Sequence, residues 1–289
     1  MTLELPITVI IPTLNEEKNL EVCLESLKGL VSHIIVADSQ SKDRTIDIAR
    51  QYGCEIQRLS YVHGRIIPWI YKWVLDNAII NNEWIMFLEA DHVVTPELAE
   101  DLRTLFSGEM DIEGVYFLRK KFFRRKWIKW GGCGNKYMLK LFRKGRGEID
   151  PDEEDTRVHV SGRTVQLKGG LEEKNQKEED ILFFLQKHVR YIDAFAQEEF
   201  RRKQNGITFK AKGHLLGTPD QRVILQKRIY YKMPLYFRTF LYFIYRYVFL
   251  LGFLDGKEGM IYHYLQAFWF RFAVDVRLEE LMRKDSNTS

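Results

Sequence analysis

The sequence predicts an α/β fold with a mostly parallel central sheet, and two features predict it. Three short apolar runs each end in polar and acidic residues. They are Ile7-Thr-Val-Ile-Ile11 before Pro12-Thr-Leu-Asn-Glu-Glu17, Val36-Ala37 before Asp38-Ser-Gln-Ser-Lys-Asp-Arg-Thr45, and Met86-Phe-Leu88 before Glu89-Ala-Asp91. The first and third are hydrophobic almost throughout, as strands buried on both faces should be. Open parallel sheets collect ligands at the carboxyl ends of their strands, and acidic residues there are costly unless a ligand, a metal or water meets them. The second feature is an alternation of strand-like and helix-like stretches up to about residue 106, which implies right-handed crossovers. A chain of 289 residues can form one large α/β domain, or one domain plus an appendage.

Each element follows from its residues. Asn15 or Glu16 opens a helix with Leu20, Leu24 and Leu27 on one face. Residues 33–37 give the second strand. Asp43 is the N-cap of a helix reaching about Tyr52, with Ile46, Ile48 and Ala49 inward, and Gly53 supplies its left-handed stop. Residues 55–59 form a third strand, 69–80 a helix with Trp69 and Trp73 partly buried, and 83–88 a fourth strand. Pro96 then begins a helix through Leu105. Beyond this point the pattern changes. Residues 114–123, 136–142, 158–160 and 164–167 are short strands separated by glycine and charge, a mixed or antiparallel half. Residues 177–205 form a long helix with Ile181, Phe184, Leu185, His188 and Ile192 at helical spacing. Residues 235–254 are about as long as a membrane span, yet they contain Arg238 and Arg246. Residues 260–276 carry His263, Gln266, Arg271 and Asp275. Both stretches read as interfacial helices with arginines at their rim, or as a helical hairpin used for packing or self-association.

The ordered motifs resemble family 2 glycosyltransferases, whose nucleotide-sugar-binding fold is called GT-A. Pro12-Thr-Leu-Asn-Glu16 is similar to that family's opening, Asp38 to Thr45 to its second-strand signature, and Glu89-Ala-Asp91 to its metal-binding Asp-x-Asp. Trp130-Gly-Gly132, Leu139-Lys-Leu-Phe-Arg-Lys-Gly145 and Leu251-Gly-Phe-Leu-Asp-Gly256 resemble the bacterial branch acting on lipopolysaccharide cores and related surface glycans. The resemblance implies a GT-A domain over residues 1–230, with a nucleotide-binding half to about 106 and an acceptor half from 107. Residues 231–289 would be a C-terminal amphipathic helical region for the membrane interface or oligomerisation.

Sugar transfer from a nucleotide diphosphate requires three services. The nucleotide must be held, and Thr13, Asn15, Glu16 and Asp38 at the ends of the first two strands can line one crevice for it. Asn15 is equally a good cap. By resemblance, Glu16 and Asp38 take the ribose and base, with Pro12, Ser39, Lys72 and Ala90 also expected at the donor. The departing diphosphate must be neutralised. Glu89 and Asp91 at a strand end suit Mg²⁺ or Mn²⁺. Glu89 stands where the family usually has aspartate, so Asp91 is the more direct ligand. His92 is a further ligand, an acceptor contact or an exposed loop histidine. The acceptor hydroxyl must be deprotonated. By resemblance to the branch's His-Glu pair before a strand like Arg157 to Gly162, aligning on Gly162 points to Asp155, then Glu154, in the acidic segment Asp150-Pro-Asp-Glu-Glu-Asp155, which is otherwise a solvated acidic loop. One departure is Ile70-Tyr-Lys72 before Trp73-Val-Leu-Asp-Asn-Ala78, where the family usually has Gln-Arg-Asn; Lys72 or Arg65 is the candidate to replace that arginine's charge, without copying its fork.

The expected function is therefore inverting, metal-dependent transfer from a nucleotide-diphosphate sugar, a UDP-sugar, to a lipid-linked or cell-surface glycan acceptor. The alternative is a catalytically weakened protein of the same fold acting as a binding or scaffold subunit. A nucleotidyltransferase would bring a Gly-rich basic phosphate loop at the first strand, which is lacking here. A net charge of +4 gives nucleic-acid binding little support. Basic residues are dense in Arg119-Lys-Lys-Phe-Phe-Arg-Arg-Lys-Trp-Ile-Lys-Trp130, which suits an anionic membrane surface or phosphate-bearing acceptor, or a solvated edge strand with basic gatekeepers. Cys23, Cys54 and Cys133 lack CxxC spacing, so reduced thiols are expected. With no basic leader before the first strand, a cytoplasmic protein peripheral on the inner face of the cell membrane is expected, as is a possible homo-oligomer.

Overall fold

The computed structural model describes residues 4–60, 67–108, 111–134, 136–149, 157–206, 209 and 212–286, with backbone alone at 67 and 68. They fall into two compact units, one of residues 1–120 and 137–177, the other of 121–136 and 178–289.

In the first unit β1 (Leu5–Thr13) is the centre of a parallel group. It pairs in parallel with β2 (Val31–Asp38) on one side and β4 (Trp84–Phe87) on the other, and β2 pairs in parallel with β3 (Glu55–Arg58). The order continues through β8 (Lys136–Arg143), antiparallel to β4, then β6 (Gly114–Phe123), β11 (Thr164–Glu173) and β5 (His92–Val94); the last residues of β6 belong to the second unit and pair there with β7 (Lys126–Trp127). The strands β9 (Glu148–Ile149) and β10 (Val158–His159) pair separately. The two-residue period of β1 explains its bare apolar run. Ile7, Val9 and Ile11 pack with α1 (Leu20–Leu27), α2 (Thr45–Gln51) and α4 (Pro96–Phe106), while Ile10 packs with Tyr71 and Val74 of α3 (Ile67–Asn77). Both faces are covered, as a parallel sheet demands.

Several boundaries differ from the sequence reading. Helix α1 begins at Leu20 instead of Asn15 or Glu16, because Asn15 adopts φ 54° and side chains of the next loop hold the Asn15 and Glu16 N–H groups. Helix α3 ends at Asn77, β11 runs on to Glu173, and β5 was unexpected. Gly53 does stop α2. With φ 69°, it and Cys54 donate back to Arg50 O and Ala49 O, the double bond of a Schellman ending.

In the second unit α5 (Ile181–Gln204) starts from Asp180, whose carboxylate accepts the Leu182 N–H at 2.8 Å. It packs on α9 (Phe270–Ser286) through Ala196, Phe270, Val274 and Leu278. Helix α6 (Pro219–Lys232) escaped the sequence reading, although Thr218 and Gln221 form a capping box before it. The expected helix over 235–254 is broken. Helix α7 (Phe237–Ile244) continues through one π turn, Tyr245–Phe249, and stops where Leu251 takes φ 58°; α8 (Gly256–His263) follows. No single described helix is long and apolar enough to cross a membrane, and the pair flanking this break is bent by 68°.

The arginines of this stretch do not sit at a rim. Arg238 is fully buried, donating to Glu199 at 2.6 and 2.9 Å and to Asp275 at 3.0 and 3.2 Å. Arg246 donates to Gly131 O at 2.7 Å and Cys133 Sγ at 2.8 Å. An uncompensated guanidinium cannot be buried at tolerable cost; carboxylates and carbonyls elsewhere in the unit draw these two inward.

Candidate active site

The loops after β1 and β2 are stitched together. Thr13 and Asp38 are register partners at the strand ends. Buried Asp38 accepts from the Thr13 hydroxyl at 3.0 Å, from the Ser41 N–H at 2.9 Å and from the Ser41 hydroxyl. A carboxylate offers about four acceptor positions, so Asp38 is already a strut with little capacity left over. Asn15 Oδ1 accepts the Lys42 N–H, and its own N–H reaches Ser41 Oγ, each at 2.8 Å. The Glu16 N–H donates to Thr45 Oγ1 at 2.7 Å, and Asp43 accepts from Glu17 N–H at 3.1 Å and Thr45 N–H at 3.0 Å. Asp43 is thus a brace at the start of α2. Pro12, Ser39 and Ala90 are buried, and Ser39 N–H donates to Thr13 O at 2.9 Å.

Glu16 is held as well. Lys177 Nζ lies 2.5 Å from Glu16 Oε1, and Asn19 Nδ2 donates to Glu16 Oε2 at 2.8 Å. Asn19 also accepts the Gln176 N–H at 2.9 Å, which ties the segment after β11 to this corner. Sequence reasoning missed Lys177, since nothing local marks it.

A second cluster lies beyond β4. Ligand atoms of Glu89, Asp91 and His92 lie within 4.8 Å of one another. Glu89 is half-buried, Asp91 and His92 are buried. Cys23 connects the two regions: its thiol approaches Glu89 O at 3.7 Å, and burial, followed by Asp91 and other acids including Glu16, pushes its ionisation far up. Opposite Glu89 stands Lys140, buried in β8, with Nζ 3.5 Å from Oε1. Burial works against the Glu89 carboxylate, but Lys140, His92 and Arg119 outweigh it, so Glu89 titrates below the usual range. Burial and then Lys140 push His92 down to about 4. A lysine inside the otherwise apolar run Tyr137-Met-Leu-Lys-Leu-Phe142 was the available signal for Lys140, because lysines are almost never buried without a partner.

The oxygen-rich pair fits a hard divalent cation. His92 fits one poorly. Its Nδ1 accepts the Glu89 N–H at 3.0 Å, so the neutral ring carries its hydrogen on Nε2 and offers no second lone pair. It orients the loop, and it is buried at the start of β5, not exposed in a loop.

Residues 8–149 match the family model described as glycosyl transferase family 2. Those residues form a family 2 glycosyltransferase domain. An uncharacterized glycosyltransferase of Rickettsia bellii is 27% identical over 106 residues, 36% of this chain and 33% of that protein. The chain spans about a third of the length of the first curated relatives it matches. The lipopolysaccharide core biosynthesis glycosyltransferase LpsC of Rhizobium meliloti is 27% identical over 275 residues, 91% of each chain. Among solved structures, a mannosyltransferase from Pyrobaculum calidifontis, in complex with GDP-Man and Mn²⁺, has a TM-score of 0.55 at 16% identity, covering 96% of this chain and 88% of that one. That likeness establishes the GT-A-like fold.

Within this domain the departure at Ile70-Tyr-Lys72 has a packing reason. Tyr71 is buried, stacks on Phe87 at 3.9 Å and donates to Leu88 O at 2.7 Å, so it supports the strand that carries Glu89. Lys72 is exposed and bonded to Asp76 at 2.9 Å. Arg65, Glu154 and Asp155 lie outside the described residues.

Proposed function

We propose that the protein is an inverting glycosyltransferase that takes its sugar from a nucleotide-diphosphate donor, a UDP-sugar, in the presence of Mg²⁺ or Mn²⁺. The acceptor is a lipid-linked or cell-surface glycan, reached from the inner face of the cell membrane. Residues 1–106 would hold the donor, 107–230 the acceptor, and 231–289 the membrane interface or a second copy. One observation carries the reading: within the residues that match the family 2 model, Glu89 and Asp91 gather just beyond β4, and buried Lys140 faces Glu89. The LpsC likeness over nearly the whole chain supports the choice of acceptor.

Asp91, with Glu89, would hold a divalent cation whose charge offsets that of the leaving diphosphate. Asp38, pinned by Thr13 and Ser41, would offer the nucleoside its one remaining acceptor position, already oriented and so at little entropic cost. Glu16 reaches the donor only by sharing or leaving Lys177. Asp155 or Glu154 would take the proton of the acceptor hydroxyl. The hydroxyl oxygen then bonds the anomeric carbon from the face opposite the diphosphate, and the nucleoside diphosphate leaves with the electron pair.

A second reading, a weakened scaffold subunit, draws on Lys140 facing Glu89 and Lys177 occupying Glu16. A thermal-shift screen of UDP, GDP and their sugars, with and without Mn²⁺, together with donor hydrolysis, separates the two. Stabilisation by donor plus metal with slow turnover supports the enzyme. Binding without turnover, when acceptor extracts are supplied, supports the scaffold.

A further inference from the structure

The segment around the break after α7 combines features that no catalytic role absorbs. With the arginines drawn inward, its outward face is left apolar: Phe249 is 72% exposed, and Phe240, Leu251, Phe253 and Leu254 are also exposed. Beside it, within the same unit, lies the hairpin of β6 and β7. Gly131 N–H donates to Leu250 O at 2.8 Å, and the Asp255 carboxylate receives the Trp130 N–H at 2.8 Å and the Lys129 N–H at 3.1 Å. Lys126 Nζ donates to Asp255 O at 2.6 Å. This fixes the exposed Trp130 and the basic residues Arg124, Arg125, Lys126 and Lys129 next to the apolar break.

The hairpin tip is strained. Phe123 and Lys126 are register partners, so Arg124 and Arg125 form a two-residue turn, and both have positive φ, 48° and 64°. Such turns prefer Asn-Gly, and a bulky residue at positive φ is strained there. Two arginines are kept where glycine would relax the turn, which places two guanidiniums at an exposed tip; Arg125 also donates to Glu179 there, at 2.8 Å.

We propose that the break and this hairpin together form a docking surface for an anionic lipid bilayer. Phe249, Leu251, Phe253, Leu254 and Trp130 enter the headgroup–acyl boundary, and Arg124, Arg125, Lys126 and Lys129 meet anionic headgroups. Charge complementarity selects this occupant, because a second copy would bring the same positive charge against itself. The surface deepens the peripheral-membrane reading above and rests on it. It also changes its physics: apolar insertion holds the protein and charge assists it, so attachment should survive salt that screens headgroup attraction.

The test uses the full chain and phosphatidylglycerol/phosphatidylcholine vesicles in sedimentation assays, with Phe249→Ser/Phe253→Ser and Arg124→Gly/Arg125→Gly as separate variants. Melting temperature and nucleotide-induced thermal shift are measured on each, so a failure of the membrane reading is distinguished from a failure of the transferase reading. The wild type should bind anionic vesicles and keep most of its binding at high salt. The phenylalanine pair should lower partitioning by roughly tenfold or more. The glycine pair should lower it on anionic vesicles alone and raise the melting temperature by relieving the turn. Wild-type protein that ignores anionic vesicles overturns membrane attachment. Normal partitioning of the phenylalanine variant overturns this surface, as does a lipid-free wild-type dimer that the same variant dissociates.

Discussion

Glu89 in the α/β unit and Arg238 in the helical unit are both charged and sequestered, but their surroundings differ. Glu89 keeps its neighbours at a distance, the Lys140 ammonium at 3.5 Å and the neutral His92 ring, through Nε2, at 3.9 Å. Arg238 is gripped on both sides, by Glu199 at 2.6 and 2.9 Å and by Asp275 at 3.0 and 3.2 Å. Asp275 is itself completed by the Tyr236 N–H at 2.8 Å and the Thr239 hydroxyl at 3.0 Å. A fully satisfied network rigidifies its surroundings and has no capacity for a ligand. A carboxylate held as loosely as that of Glu89, beside one buried ammonium, can exchange partners when a cation arrives. Burial of charge is therefore no guide to function until its saturation is examined.

The largest effect should come from Asp91. Asp91→Asn removes one of the two carboxylates suited to a hard cation and should abolish Mn²⁺-dependent donor binding and nearly all turnover, a loss of several kcal/mol in transition-state stabilisation. Its melting temperature should stay near that of wild type. Calorimetric titration with Mn²⁺ and nucleotide would reveal it, and wild-type binding would erase the contrast drawn above. Next in size, Asp155→Asn or Glu154→Gln should slow transfer by roughly two to four orders of magnitude, with donor affinity unchanged. If both variants turn over normally, the base lies elsewhere.

The helical unit should respond in stability instead. Arg238→Met leaves Glu199 and Asp275 buried without their cation and should cost about 3–5 kcal/mol. Arg277→Met, at a more exposed pair with Asp193 and Glu280, should cost under about 1 kcal/mol. Denaturant midpoints measure both; similar costs would mean that the Arg238 network is no tighter than the surface pairs. A smaller effect concerns His263, buried with neither ring nitrogen partnered among the described residues. Burial, then Arg246, lowers it to about 3 from the ordinary 6.5. Between those values the unfolded chain binds the extra proton, so stability should fall as pH drops from 6.5 toward 3. The slope from this residue is at most about 1.4 kcal/mol per pH unit. His263→Gln should flatten the pH dependence of the urea midpoint; an unchanged slope would assign it to His92 and His188.

The same contrast explains what the sequence disclosed. Strand runs such as Ile7 to Ile11 and the acids following them were legible because burial on both faces leaves a continuous apolar pattern with abrupt polar ends. The Glu89–Asp91 pair was legible for the same reason. Lys177 and Glu173 were not, because their partners, Glu16 and Arg119, lie far away in sequence. Asp38 was legible only as a donor residue; its structural work was not, because Thr13 and Ser41 engage it across the gap between two strand ends. The C-terminal arginines misled for a related reason. Hydropathy along residues 235–254 cannot show that Glu199 and Asp275 wait to receive Arg238, so a buried ion network read as the polar rim of an amphipathic helix. Helix α6 was legible after all, through its capping box and Pro219.

The smallest expected effect gives the sharpest test of the comparison. Glu89→Asp shortens the side chain by one methylene and restores the spacing usual in the family. If Glu89 is loosely held so that it can turn to a cation, drawing its carboxylate back from Lys140 should leave turnover unchanged or raise it. The Mn²⁺ concentration for half-maximal activity should fall or hold, since the competing ammonium is then further from the oxygen. If instead the ion pair with Lys140 is structural, like that of Arg238, the shorter side chain leaves a buried ammonium under-compensated. The variant should then lose about 1–3 kcal/mol of stability, whatever its activity. Melting temperature and Mn²⁺ titration on one sample decide between these outcomes. A destabilised variant with an unaltered metal requirement would place Glu89 with Arg238, among the charges that hold the fold and do no chemistry.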